Sequence, residues 1–61
     1  MKLRFIGADG SMGLEHGEVK TIAITTSKYK DHIAVFWYKN GEVHECIYKS
    51  LSSMCKNWTD V

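Results

Sequence analysis

The stretch that decides the fold runs from residue 32 to residue 48 and reads His-Ile-Ala-Val-Phe-Trp-Tyr-Lys-Asn-Gly-Glu-Val-His-Glu-Cys-Ile-Tyr. Two runs rich in β-branched and aromatic residues flank the pair Asn40-Gly41. An Asn-Gly pair in this setting is typical of a two-residue type I′ turn, because both of its residues tolerate a positive φ. The sequence therefore predicts an antiparallel β-hairpin that turns at Asn40-Gly41.

The turn also predicts the register of the hairpin, in which oppositely charged Lys39 and Glu42 face each other and pairing continues as far as Ile33 with Tyr48. Because side chains alternate across a strand, the paired residues divide into two faces. We expect the core face to carry Ile33, Val35, Trp37, His44, Cys46 and Tyr48. The opposite set, called the outer face, is nearly as apolar and consists of Ala34, Phe36, Tyr38, Val43, Glu45 and Ile47.

The segments before the hairpin predict two more strands, over residues 2–6 and 18–26, joined by a loop at 7–17 that carries four glycines. Met12 and Leu14 are the apolar residues of this loop, and we expect them to fold back over one end of the sheet. A bulge near Lys20 would bring Val19 and Ile22 to the same side of the second strand. Residues 27–31 are polar and predict the turn into the hairpin.

After the hairpin the apolar spacing changes from that of a strand to that of a helix. Leu51, Met54, Cys55 and Trp58 are spaced as one helical face, and Ser50 precedes them as a natural N-cap. The last three residues are expected to be loose. Together these segments predict a mainly β fold, a small antiparallel Src-homology-3-like barrel of four to five strands with a short C-terminal helix. The domain would span residues 1–61.

Size and composition narrow the class of protein. The chain has 61 residues, a net charge of +1, 44% hydrophobic residues and no proline, which is ordinary for one small globular domain. No apolar run has the length of a membrane-spanning helix, and the N-terminus lacks the hydrophobic segment of a signal peptide. We therefore expect a cytoplasmic protein with no membrane partner. In that compartment Cys46 and Cys55 are expected to be packed free thiols rather than a disulfide.

The sequence predicts no catalytic, cofactor-binding or metal site. His44, Cys46 and Cys55 would supply at most three metal ligands, whereas a structural zinc site takes four. Cys46 and His44 lie two apart on one strand and point outward in parallel, so they do not form a nucleophile and base. No two carboxylates have a spacing that would hold them together. We expect that the protein is not an enzyme.

Several residues towards both ends of the chain resemble those of a known group of proteins. They are Arg-Phe-Ile-Gly at 4–7, Gly13-Leu14, Gly17 and the ending Tyr48-Lys-Ser-Leu-Ser-Ser-Met-Cys-Lys-Asn-Trp58. Together they resemble a group of short, uncharacterised proteins of phages and prophages of Gram-positive bacteria, over most of the chain. The shared motifs are structural glycines and core aromatics, and this chain departs from the group at Lys20, where an aromatic residue is usual. The resemblance implies a small accessory protein of a mobile element, and it implies no particular activity.

The outer face provides the functional hypothesis. Phe36, Tyr38 and Val43, ringed by Lys39 and Glu45, have the apolar centre and polar rim of a protein–protein interface. A host protein is the expected partner, and self-association into a homo-oligomer is the competing explanation. The face could instead be covered internally by Met12 and Leu14. The alternative function is nucleic-acid binding, with bases stacked on Phe36 and Tyr38 beside four lysines, Lys20, Lys28, Lys30 and Lys39.

Overall fold

The computed structural model describes all 61 residues and contains the predicted hairpin. Its two strands are β4 (Ile33–Lys39) and β5 (Glu42–Tyr48), and the turn residues Asn40 and Gly41 have φ values of 54° and 78°. All seven residue pairs, from Lys39 with Glu42 to Ile33 with Tyr48, have the predicted register. The type I′ turn and the division into two faces are therefore confirmed.

Besides a 3-10 turn at Ser11–Gly13, four further strands and one α-helical turn complete the fold. They are β1 (Lys2–Phe5), β2 (Val19–Thr21), β3 (Ala23–Thr26), the helical turn α1 (Leu51–Met54) and β6 (Trp58–Asp60). The first sheet has the order β2-β1-β6 and the second has the order β3-β4-β5, with every pair antiparallel. The mainly β prediction is confirmed, but the strands number six rather than four to five, and the two sheets do not close into a barrel.

Ile22 separates β2 from β3 and marks the point where one extended segment passes from the first sheet to the second. Its side chain is buried, and its N–H donates to the carbonyl of Met1 at 2.7 Å. Val19 is exposed, so the predicted bulge that would place Val19 beside Ile22 is wrong. Simple alternation is sufficient here, because the chain changes sheet at Ile22 instead of absorbing an extra residue.

The predicted C-terminal helix is shorter than expected and is followed by a strand. Ser50 does cap α1, accepting a hydrogen bond from the Ser53 N–H at 3.2 Å, but the helix ends at Met54. Leu51 and Cys55 are exposed, so the expected apolar stripe is wrong for these two residues. Trp58 lies in β6 and pairs with Phe5 of β1. Pairing with β1 orders Thr59 and Asp60, so the expectation that they are loose is wrong, and it buries Trp58 more fully than a free helical turn would.

The core lies between the two sheets and is closed at one end by the loop between β1 and β2. Leu14 of this loop is fully buried and Met12 packs against the core, as predicted. The core consists of Leu3, Phe5, Leu14, Ile22, Val35, Trp37, Tyr48, Met54 and Trp58. The strands β1, β4, β5 and β6 each contribute at least one residue to this core, and Ile22 contributes from the junction of β2 and β3.

Trp58 is at the centre of this core. Its ring lies 5.3 Å from the ring of Phe5 in an edge-to-face arrangement and 5.6 Å from the ring of Trp37. Its indole N–H donates to the hydroxyl of Tyr48 at 3.2 Å, and that hydroxyl donates to Asn57 Oδ1 at 3.0 Å. Burial raises the pKa of Tyr48, so its hydroxyl stays protonated and available as a donor. This short network ties β5 to the segment that enters β6.

Candidate interaction surface

The outer face of the hairpin exposes the aromatic residues that the sequence places there. Tyr38 is 69% exposed and Val43 is 58% exposed, while Phe36 is half-buried and Glu45 is exposed. Alternation along β4 explains this arrangement, since Val35 and Trp37 on the opposite parity are almost fully buried. Tyr38, Val43 and Glu45 therefore lie on an exposed outer face, whereas Ala34, which the sequence assigns to the same face, is buried.

Two hollows adjoin Phe36 on this surface. The first, of about 190 Å³, is almost wholly apolar and is lined by Thr21, Ile22, Ala23, Phe36, Trp37, Tyr38 and Val43. The second, of about 400 Å³, is more polar and is lined by Thr26, Ser27, Lys28, Tyr29, Ala34, Phe36, Glu45 and Ile47. Because Phe36 borders both hollows, they form one continuous surface from the turn end of the hairpin to the loop at 27–32.

The loop between β1 and β2 does not cover this surface. Leu14 is part of the core, and the sulfur of Met12 lies 3.8 Å from the Tyr48 hydroxyl oxygen, on the core side of the hairpin. The alternative in which Met12 and Leu14 bury the outer face from within is therefore wrong. Both side chains fill the end of the core, because the apolar residues there lie closer to the loop than the outer face does.

Lys39 is placed differently from the prediction. It has the parity of the core face, and its ammonium donates to the carbonyl of Gly13 and lies 3.2 Å from Glu18 Oε1. Lys39 therefore holds the β1–β2 loop against the hairpin and does not ring the exposed aromatics. The pairing of charges expected between Lys39 and Glu42 is also not formed, because Glu18 offers Lys39 a less exposed partner.

Glu18 is the residue of this region that sequence reasoning missed. One carboxylate oxygen accepts from the backbone N–H of Glu15 at 3.0 Å and contacts Lys39, and the other lies 2.9 Å from the ammonium of Lys20. The Glu15 N–H, followed by the two lysines, lowers the pKa of Glu18 to about 2. Glu15 and Lys20 are close to Glu18 in the sequence, but no spacing there indicates the contact with Lys39, which is 21 positions away.

Glu18 makes stability depend on pH in a defined direction. Its folded-state pKa of about 2 is below the ordinary value of 4.5, so its contribution is complete above about pH 4.5 and is lost as the pH falls towards 2. We expect Glu18→Gln to lower the free energy of unfolding at neutral pH, and the difference from the wild type to shrink over that interval. Urea unfolding across a pH series measures it.

Glu42→Gln is the matched control for Glu18, because the Glu42 side chain is 79% exposed and lies near the turn. We expect this variant to follow the wild-type pH dependence. A difference between wild type and Glu18→Gln that stays constant from pH 7 to about pH 2 would contradict the assigned role of the Glu18 carboxylate.

The structure does not gather the lysines proposed for nucleic-acid binding. Lys20 and Lys39 both contact Glu18, which offsets one of their two positive charges and holds them beside the β1–β2 loop. Lys28 and Lys30 lie in the loop at 27–32, where the ammonium of Lys28 is 5.7 Å from the centre of the Tyr29 ring. The only basic residue that borders the outer-face hollows is therefore Lys28.

Histidines and cysteines are spread over separate parts of the molecule. The His44 ring stacks on Trp37 with centroids 5.8 Å apart, and Cys46 beside it is a half-buried free thiol. Cys55 is also free, but it is exposed, so the expectation that it packs on an apolar side of the helix is wrong. No three His, Cys, Asp or Glu side chains lie close enough together to hold a metal ion.

Comparison of the chain with protein-family models, with curated proteins and with solved structures found no match. The helical turn α1, of four residues, is too short to cross a membrane, and no other α-helix is present.

Proposed function

We propose that this chain is a non-enzymatic, cytoplasmic accessory protein of a phage or other mobile element that acts by binding a host protein. The observation that carries the proposal is the exposure of Tyr38 and Val43 around half-buried Phe36 on the outer face. Inhibition of a host defence system is one form that such binding would take. The link to phages rests on the sequence resemblance, which involves the glycines of the β1–β2 loop and the segment from Tyr48 to Trp58.

We also propose that the fold is related to the Src-homology-3-like small barrels, although its two sheets do not close into a barrel. Three features support this assignment. β2 and β3 count as one strand that bends at Ile22 and serves both sheets, which brings the strand number to five. A long loop follows the first strand, and a helical turn precedes the last strand. Because this kind of barrel supports many functions, the proposed activity depends on the outer face and not on the fold.

The physical case for a protein partner is the chemistry of the outer face. Aromatic side chains supply large contact areas with few rotatable bonds, which is why they are enriched where proteins bind each other. Tyr38 and Val43 leave apolar surface in water in the free protein, and a partner that covers them would remove it. The hollow of about 190 Å³ beside Phe36 would accept a single apolar side chain from that partner.

Substitution of the two aromatic residues tests the proposal. We expect Phe36→Ala and Tyr38→Ala to retain the fold, because neither side chain belongs to the core cluster, and to abolish retention of the partner. The measurement is affinity capture from a lysate of a Gram-positive host, with circular dichroism to confirm folding. Leu51→Ala is the matched control, because Leu51 is 61% exposed but lies on α1, away from the outer face.

Two outcomes would contradict the proposal. Equal capture by the wild type and both aromatic variants would place the interface elsewhere on the molecule. Tight binding of a labelled single-stranded oligonucleotide, with affinity that falls steeply as salt rises, would instead favour nucleic-acid binding, because counterion release accompanies phosphate contacts.

A further inference from the structure

β5 is the longest edge strand of the molecule. It has seven residues and pairs only with β4, whereas the other edge strands, β2, β3 and β6, have three or four. An edge strand presents unpaired backbone N–H and C=O groups to its surroundings, and such a row is a template for another strand. The free side of β5 is therefore a candidate for strand addition.

The register identifies which residues of β5 have free backbone groups. In an antiparallel ladder, residues of an edge strand alternate between bonding to the neighbouring strand and pointing away from it. The two-residue turn makes Lys39 and Glu42 the first bonded pair, so alternate residues from Glu42 onward bond to β4. The residues between them, Val43, Glu45 and Ile47, direct N–H and C=O outward, and none of them takes part in a backbone hydrogen bond to a loop.

These same three residues place their side chains on the outer face. Glu45 is the only charged residue of that face, it is exposed, and it forms no salt bridge. Val43 and Ile47 flank it two positions away on either side, so the edge has an apolar–acidic–apolar pattern. An added strand would set one of its own side chains directly opposite each of the three.

From this pattern we infer that β5 binds an extended segment of the partner protein as an additional strand, with a basic residue opposite Glu45 and apolar residues opposite Val43 and Ile47. The inference rests on the proposed function and specifies the chemistry of its partner. Backbone hydrogen bonds would supply affinity, and the alternate side chains would supply specificity, as in other cases of strand addition.

A second copy of the chain fits this edge poorly. Pairing two β5 strands over their full length about a two-fold axis puts Glu45 opposite Glu45 of the other copy, and like charges in that position repel. Registers shifted towards either end of the strand avoid this contact but pair fewer residues of β5, and those centred on His44 or Cys46 set Glu45 opposite apolar Val43 or Ile47. The strand pairing in these shifted registers ends at the turn at Asn40-Gly41 or at the bend of residues 49–50 that leads into α1. The charge at the centre of the edge therefore favours a basic partner over self-association.

A synthetic peptide tests the inference directly. The probe is Thr-Val-Thr-Lys-Thr-Val-Thr with blocked ends, which places two valines and the lysine on one face of a strand. It is titrated into isotope-labelled protein while amide chemical shifts and hydrogen exchange are recorded. We expect exchange to slow at the amides of Val43, Glu45 and Ile47, and to stay unchanged at those of His44 and Cys46, which already bond to β4.

Charge reversal provides the specificity test. Replacing the peptide lysine by glutamate is expected to weaken binding about two- to fivefold, the range of one cross-strand charge pair. Glu45→Lys is expected to reverse the preference between the two peptides. Glu42→Lys, the matched control, changes an exposed carboxylate of the same strand on the opposite parity and is expected to leave the preference unchanged.

Three outcomes would overturn the inference. The first is an absence of protection at the three outward-pointing amides, and the second is a peptide preference that Glu45→Lys does not alter. The third is protection of the same amides by raising protein concentration alone, which would make the occupant a second copy. None of these results decides the proposed function, which the capture experiment with the Phe36 and Tyr38 variants tests separately.

Discussion

Replacing Trp58 by alanine is expected to unfold most of the protein at 25 °C. The side chain is 1% exposed and contacts the rings of Phe5 and Trp37, so its removal leaves a large cavity between the two sheets. Loss of a buried tryptophan usually lowers the free energy of unfolding by about 3–5 kcal/mol. The core of a domain of this size rarely supplies more than about 3–5 kcal/mol in total, so little stability would remain.

Circular dichroism and urea unfolding measure this effect, and two further variants make it specific. Trp58→Phe retains an aromatic ring but loses the hydrogen bond to the Tyr48 hydroxyl, so we expect a smaller loss than with alanine. Leu51→Ala, which truncates a side chain that is 61% exposed, is expected to change stability by less than about 0.5 kcal/mol. Native stability in Trp58→Ala would show that β6 is not an essential part of the core.

Gly7→Ala is expected to lower the free energy of unfolding by about 1–3 kcal/mol, the usual range for overpacking. A Cβ at this position would lie 2.8 Å from Phe5 Cε1 and 2.8 Å from Asn57 Nδ2, and closer still to Phe5 Cζ. Neither neighbour moves away easily. Phe5 is completely buried, and Asn57 accepts a hydrogen bond from the Tyr48 hydroxyl.

A double-mutant cycle assigns the cause of the Gly7 effect. We expect Gly7→Ala to be less harmful in a Phe5→Leu background, because the shorter side chain vacates the space that the new methyl group enters. Urea unfolding of the four proteins gives the coupling free energy. An unchanged penalty in the Phe5→Leu background would contradict a clash with the Phe5 ring, and would leave Asn57 or the backbone of Gly7 as the cause.

Gly7 illustrates how little of a glycine's role is visible in the sequence. Its importance is the lack of a side chain between Phe5 and Asn57, and no positive φ is involved. Gly41, in contrast, has a φ of 78° in the type I′ turn, and this requirement was predictable from the Asn-Gly pair alone. A turn depends on neighbouring residues, whereas a close approach depends on segments that are distant along the chain.

The candidate surface likewise has features that the sequence predicts and others that it does not. Counting from the turn assigns four residues to the outer face, Phe36, Tyr38, Val43 and Glu45. This is possible because alternation is a local property of a strand. Proximity in the sequence predicts Lys39 at the rim of that set, but its partners are Gly13 and Glu18 of the β1–β2 loop. A side chain as long as that of lysine forms an ion pair with whichever carboxylate the tertiary fold brings within reach. The residues near Lys39 in the sequence do not indicate which carboxylate this is.

The end of the chain shows the strongest effect of tertiary context. The spacing of Leu51, Met54, Cys55 and Trp58 favours a two-turn helix, and the capping of α1 by Ser50 confirms where that helix begins. It ends after one turn because β1 has a free edge, and pairing along that edge both satisfies the backbone of Trp58–Asp60 and buries the largest side chain in the core. Short helices gain little from their own hydrogen bonds, so long-range pairing prevails.

The sequence by itself therefore determined the hairpin, its register, the two faces of its strands and the inward return of Met12 and Leu14. The first three follow from turn chemistry and the period of apolar residues, which act over a few positions, and the last follows from the apolar character of these two loop residues. Only the tertiary structure decided the sixth strand, the change of sheet at Ile22, the partners of Lys39 and the free edge of β5. These depend on which segments meet in space, and the free energy that selects them comes from contacts between residues far apart in the chain.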